Sequence, residues 1–293
     1  MRVTQSMLAA NSLKNLSKSY SNMGKYQEQL ATGKKINRPS DDPVVAIKGM
    51  FYRTNLTEVE QYKRNLNEGY QWMENSEQGI EHATQVIQRV RELLVQGNNG
   101  AYSEEDLQSI AVEINQLKEN LAGVANTQVA GKYIYNGTNI DLLPVTINPD
   151  GTITANLNTE PFNVEISKGV PLKVNINPTN VFGQGLFDTI QSIENALKSG
   201  DMTNGGNLLD DLDDHFNVIL AERSEVGARY NRLEMMDSRI QDQEIIANRI
   251  LSENEDADIE RVITDLTIQE SIHRASLAVG SKVIQPTLID FLR

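Results

Sequence analysis

Residues 209–251 read LDDLDDHFNVILAERSEVGARYNRLEMMDSRIQDQEIIANRIL. Apolar side chains recur alternately three and four residues apart, at Leu209, Leu212, Phe216, Ile219, Val226, Tyr230, Leu233, Ile240, Ala247 and Leu251. Only Arg223, Asp237 and Glu244 interrupt the series. That spacing lines one face of an α-helix and is the mark of a helix packed lengthwise on another helix. The stretch therefore predicts one long helix, and with it a chain that holds further seams of the same period.

Three more segments carry that period. The first runs through Leu13, Leu16, Tyr20, Met23, Gln27 and Leu30, and the third through Leu107, Ile110, Ile114, Leu117, Leu121 and Val124. The second is nearly as long as the quoted one: Val59, Tyr62, Leu66, Gly69, Met73, Ser76, Ile80, Ala83, Ile87, Val90 and Leu94. A broader stripe closes the chain, with Ile259, Val262, Ile263, Leu266, Ile268, Ile272, Ala275 and Val279. Punctuation agrees with these spans. Asp42 before Pro43 reads as an N-cap followed by proline at the first helical position. Gly97-Asn98-Asn99-Gly100 breaks the pattern, and Ser103 with Asp106 restarts it as a capping box. Ser199-Gly200-Asp201 ends a shorter helix that contains Phe187, Ile190, Ile193 and Leu197.

Between about Lys132 and Pro178 the period falls to two. Residues 133–135, 145–147, 152–154, 162–166 and 172–176 read as short strands. Asn136-Gly137, Pro149-Asp150-Gly151 and Lys168-Gly169 supply turn chemistry between them. The fold class expected is mainly α with a small β insert. Its order is palindromic, with a terminal helix and long helices on either side of the insert.

Composition removes several functions. There is no cysteine among the 293 residues, which excludes disulfides, thiolate chemistry and Cys-based metal sites. A net charge of −13 argues against nucleic acid as a partner, because phosphate needs a basic surface. No stretch approaches the ~20 apolar residues of a membrane span. Residues 1–30 lack an apolar core with a small-residue cleavage site, so no cleaved signal peptide is expected. Aromatics are 5% of the chain, sparse for a compact core and ordinary where Leu, Ile, Val and Ala seams do the packing.

Residues that could carry chemistry read better as structure. His82, His215 and His273 lie far apart on helices with no second histidine at ligand spacing. Asp210, Asp211, Asp213 and Asp214 lack the alternating ligands and central glycine of a calcium loop, and they suit the start of a helix. The glycines at 97 and 100 are followed by Ser103-Glu104-Glu105-Asp106, acidic where a phosphate would need positive charge. Asn136-Gly137-Thr138 fits a glycosylation sequon, and a turn explains it equally. Neither a nucleophile elbow nor a carboxylate pair in a cleft is present, so no enzyme, cofactor or metal is expected.

The stretch Ala31-Thr32-Gly33-Lys34-Lys35-Ile36-Asn37-Arg38-Pro39-Ser40-Asp41-Asp42-Pro43 resembles the segment after the first helix in the flagellin family. Its Pro39-Ser40-Asp41-Asp42-Pro43 form is similar to the hook-associated protein 3 branch of that family. Ala125-Asn126-Thr127 with Gly131 to Thr138 resembles that branch's entry into its β domain. Pro286, Leu288, Ile289, Phe291 and Leu292 are similar to the family's C-terminal ending. The resemblance covers roughly 1–138 and 185–293 and is weak over the β insert. Gly33, Ile36, Asn37, Pro39, Ser40, Asp41, Asp42 and Pro43 are its motif residues.

The resemblance implies paired N- and C-terminal helices and a central β-rich outer domain, with parts at 1–42 with 255–293, 43–132 with 180–254, and 133–179. It implies export through the flagellar type III apparatus, an extracellular place at the hook–filament junction, and a chaperone on the C-terminal helix. Partners would be another hook-associated protein on the hook side, flagellin on the filament side, and further copies in a ring. Leu13, Leu16, Tyr20, Met23 and Leu30, with Ile263, Leu266, Ile272 and Val279, are the expected assembly interface. Two alternatives stay open: a minor flagellin within the filament, and a cytosolic helical adaptor.

Overall fold

The computed structural model describes residues 5–99 and 102–284. Helices α1 (Gln5–Thr32), α2 (Pro43–Gly97) and α3 (Glu104–Ala125) come first, and α4 (Pro178–Phe182), α5 (Gln184–Ser199), α6 (Gly205–Glu255) and α7 (Ile259–Ile284) follow a β segment. That segment is three antiparallel hairpins, each a separate two-stranded sheet: β1 (Gln128–Val129) with β2 (Lys132–Tyr133), β3 (Val145–Ile147) with β4 (Ile153–Ala155), and β5 (Asn163–Ser167) with β6 (Val170–Lys173). The chain divides into two compact units, Val59–Asp242 and the residues up to Glu58 with those from Gln243 onward.

In the Val59–Asp242 unit the heptad seams are the core. Leu66, Met73, Ile80, Ile87, Val90 and Leu94 of α2 are buried, as are Leu212, Ile219, Val226, Leu233 and Ile240 of α6. The two helices run antiparallel, since Arg91 pairs with Asp213 at 2.6 Å, Glu77 with Arg223 at 2.7 Å, and the rings of Tyr70 and Tyr230 lie 5.4 Å apart. Arg223, which interrupts the seam in sequence, thus spans it through a charge on the facing helix. Helix α3 starts with the predicted capping box, Ser103 Oγ accepting from Asp106 N while Ser103 N donates to Asp106. Its buried Leu107, Ile110, Ile114 and Leu121 belong to the same core as Phe187, Ile190, Ile193 and Leu197 of α5. Gly200, at φ +71°, closes α5 as the sequence anticipated.

Strand limits differ from the reading by pattern. Lys132 and Tyr133 pair with β1, but Ile134 and Tyr135 leave the ladder and are buried instead. Tyr135 packs 4.9 Å from the Phe182 ring. Strand β6 ends at Lys173, and Val174, Asn175 and Ile176 then turn inward. β1 was not foreseen; Ala130 and Gly131 take φ of +52° and +80° to close its two-residue turn. Asn136-Gly137 makes a turn, Asn139 N donating to Asn136 O at 2.8 Å, but it joins no two strands of a hairpin. Asn136 is buried, donating from Nδ2 to Leu142 O at 3.0 Å and accepting from Asn158 N at 2.8 Å. Asn126 treats Val145, and Asn175 treats Phe162 and Glu160, in the same way. Three side-chain amides therefore stand in for strand neighbours where irregular backbone would otherwise be left unpaired.

One buried ion pair joins these layers. Lys118 Nζ donates to Glu194 Oε2 at 2.7 Å, Gln191 Oε1 at 2.7 Å and Gly151 O at 2.9 Å. It ties α3 to α5 and to the β3–β4 turn, and all three ammonium donors find acceptors.

Candidate assembly site

Helices α1 and α7 pack antiparallel on each other. Ala9, Ser12, Leu16, Ser19, Met23, Tyr26 and Leu30 turn inward on α1, a spacing of three and four throughout. Val262, Leu266, Gln269, His273, Ser276 and Gly280 do so on α7. Much of this seam is small or polar. Gln269 Nε2 donates to Ser19 Oγ at 2.8 Å, and the Tyr20 ring lies 6.1 Å from that of His273. His273 Nδ1 is buried with no hydrogen-bond partner.

The expected interface residues fall on different faces. Leu16, Met23, Leu30 and Leu266 lie half-buried in the seam. Leu13, Tyr20, Ile263, Ile272 and Val279 are exposed, Tyr20 by 67% and Val279 by 61%. Reasoning from apolar spacing merged the two sets, because Leu13 and Leu16 are three apart yet Leu13 stands on the flank. It also missed Ser12, Ser19, Gln269 and Ser276, which are not apolar. Continuity of the heptad through Ala9, Ser12, Leu16 and Ser19 was the signal that could have found them. Ile259, Ile268 and Leu277 add exposed apolar surface on α7.

The motif residues build the joint between α1 and α2. Gly33, at φ +69°, caps α1, its N–H donating to Gln29 O at 2.8 Å. Lys34 then bridges Asp256 as an isolated antiparallel pair; Lys35 N donates to Glu255 O and Ala257 N to Gly33 O. Asn37 N and Arg38 N donate to Asp41 Oδ2, and Val44 N and Val45 N donate to Asp42 Oδ1. Asp42 is thus the cap of α2 and Pro43 the first helical residue, which needs no N–H partner. Ile36 and Pro39 line a pocket of about 140 Å³ with Met50 and Arg53, while Ser40 is exposed. Glu255 is buried and pairs with Arg53 at 2.7 Å. Hydrogen bonds from Lys34 and Ser252 hold the Asp256 carboxyl below its ordinary value. The loop 33–43 and the α6–α7 turn are therefore one fastened joint. Pro286, Leu288, Ile289, Phe291 and Leu292 lie outside the described residues.

Residues 3–140 match the family described as the bacterial flagellin N-terminal helical region. The chain is flagellin-like in its N-terminal half. Along its length it is 25% identical to flagellar hook-associated protein 3 of Escherichia coli K12, covering 94% of this chain and 95% of that protein. It is 26% identical to flagellin of Bacillus subtilis 168, covering 97% of each. The crystal structure of Bacillus cereus FlgL shares the fold, with a TM-score of 0.60 at 23% identity over 69% of this chain and 99% of that one. The chain is a structural protein of the bacterial flagellum.

Its histidines do not converge. His82 is exposed, and His215 faces Thr189 at 3.4 Å. Among the described residues no group of three or more His, Asp or Glu is placed to hold a metal, and no helix is long and apolar enough to cross a membrane.

Proposed function

We propose that this protein is the junction subunit joining the flagellar hook, through another hook-associated protein, to the flagellin filament. The observation that carries the reading is the α1–α7 pair, which keeps large apolar residues exposed on its flanks after pairing. Surface of that kind on a protein of the flagellum suits contact with neighbouring subunits. Similarity to hook-associated protein 3 over 94% of the chain supports the junction position. In this reading 1–42 with 255–293 is the assembly part, 43–132 with 180–254 the helical core, and 133–179 an outer domain. Copies form a ring, an export chaperone holds the C-terminal helix beforehand, and the chain leaves the cell with its N-terminus uncleaved.

Deleting the gene tests this. Hooks without filaments, with flagellin lost to the medium, are expected by electron microscopy and immunoblot; intact filaments would overturn the assignment. A second reading, a filament-forming flagellin, draws on the 26% identity to the Bacillus subtilis protein. Purified protein that polymerises alone into long filaments would favour it.

A further inference from the structure

The chain has three Asn-Gly bonds, at Asn99, Asn136 and Asn204. Such a bond is chemically weak, because glycine leaves its nitrogen unscreened by a Cβ. That nitrogen can attack the asparagine Cγ, forming a C–N bond while Nδ2 leaves as ammonia. Water then opens the succinimide ring at Cγ, giving aspartate, or at the backbone carbonyl, giving isoaspartate. Water is the only co-reactant, and no oxidant is needed. Asn99 and Asn204 are exposed. Asn136 is 1% exposed, and its surroundings oppose each stage of the reaction.

The carboxamide of Asn136 is clamped at both ends, Nδ2 donating to Leu142 O and Oδ1 accepting from Asn158 N. Turning Cγ towards the Gly137 nitrogen breaks both bonds. Gly137, at φ +55°, lies under the chain at 158–160. A Cβ placed on it would stand 2.5 Å from Asn158 O and 2.9 Å from Glu160 O. That covering segment is itself tied down. Asn158 Nδ2 donates to Thr138 Oγ1 at 3.0 Å, and its Oδ1 accepts from Glu160 N at 2.9 Å. Attack at Cγ and entry of water therefore both need 158–160 to lift.

We infer that Asn136–Gly137 is a cryptic deamidation site, closed by the fold and opened when the β segment unfolds, whose reaction makes unfolding one-way. Neither product restores the lock. A carboxylate at 136 has no hydrogen for Leu142 O and sets negative charge against that carbonyl in a buried place. Isoaspartate also adds a methylene to the main chain, which moves Gly137 out of its fit. The reaction draws on the open state alone, so its rate follows how often that state is visited.

The full chain is incubated at pH 8.5, in buffer and in urea, and the three sites are followed by peptide mass spectrometry. In urea Asn136 should react as fast as Asn99 and Asn204. In buffer its reaction should slow by about tenfold or more, because only the opened fraction reacts. Equal rates at Asn136 in the two solutions would overturn the inference. After dilution from urea, chains that regain native elution on gel filtration should be enriched in intact Asn136. Deamidated chains that refold as fully would overturn the one-way step. Asn158→Ala loosens the covering segment and should quicken the reaction at Asn136 in buffer, with Asn204 unchanged; no change at Asn136 would remove the lock. Should that variant fail to fold, Thr138→Val, which loses the acceptor of Asn158 Nδ2, serves as the same test.

Discussion

The hydroxyl of Tyr135 lies against the α-carbon of Gly79, in space that any side chain at position 79 would occupy. From there it donates to Asn75 O at 2.9 Å. A phenol from the β segment is thus inserted into the flank of α2 at a residue without a Cβ, and burial pushes its ionisation upward. Gly79→Ala is expected to cost about 1–3 kcal/mol by overpacking. Tyr135→Phe costs about 1–2 kcal/mol, since Asn75 O keeps its helical partner. Urea unfolding of the two single variants and the double checks this, with a double-variant cost below the sum.

Breaking the Lys118–Glu194 pair is expected to cost more. Lys118→Met leaves Glu194 buried with only Lys198 as cation, at about 3–5 kcal/mol. Burial alone would raise the Glu194 carboxyl, but hydrogen bonds and charge from Lys118 and Lys198 outweigh it and hold it below its ordinary value. A folded value below the unfolded one means the stabilisation is complete above the ordinary carboxylate range. It is lost as pH falls through the lower folded value. Unfolding measured from pH 6 to pH 3 should show a steeper acid loss in the native chain than in Glu194→Gln.

Asp42→Ala removes the acceptor of two N–H groups at the start of α2, and a loss of about 1 kcal/mol is expected. Glu255→Ala releases Arg53 and Lys34 at the same joint. Hydrogen exchange should quicken at Lys35 and Ala257, whose amides hold the loop to the α6–α7 turn, with the residues of α3 unaffected.

Leu13→Asp and Leu16→Asp separate assembly from pairing. Leu13 is on the exposed flank, so its variant should keep native helix content by circular dichroism yet fail to enter flagella. Leu16 is in the seam, and its variant should lose both. Equal incorporation of Leu13→Asp and native protein would remove the α1 flank from the interface.

The long seams were legible residue by residue. Val59 to Leu94 and Leu209 to Leu251 each hold large apolar groups on a strict heptad, and every such position in the structure is buried or half-buried. The cap residues Asp42, Ser103 and Gly200 were legible for a local reason, since their partners lie within four residues. Ile134 and Tyr135 were misread as strand because alternation reports a side chain's character and not which element covers it. Leu13 and Leu16 of α1 were grouped together for the same reason: they have the same chemistry and differ only in what lies opposite.

Sequence by itself determined the long helices and their need for partners, because heptad period and capping act over a few residues along one chain. It also determined the start of α2, through Asp42 and Pro43, whose roles are local. Only the tertiary structure decided that α7 covers the Leu16 face of α1 and leaves the Leu13 face open, that Gly79 makes room for Tyr135, and that Lys118 meets Glu194. Those are choices between faces of equal hydrophobicity or between groups far apart in the chain, and they are set by shape and by simultaneous satisfaction of buried polar groups.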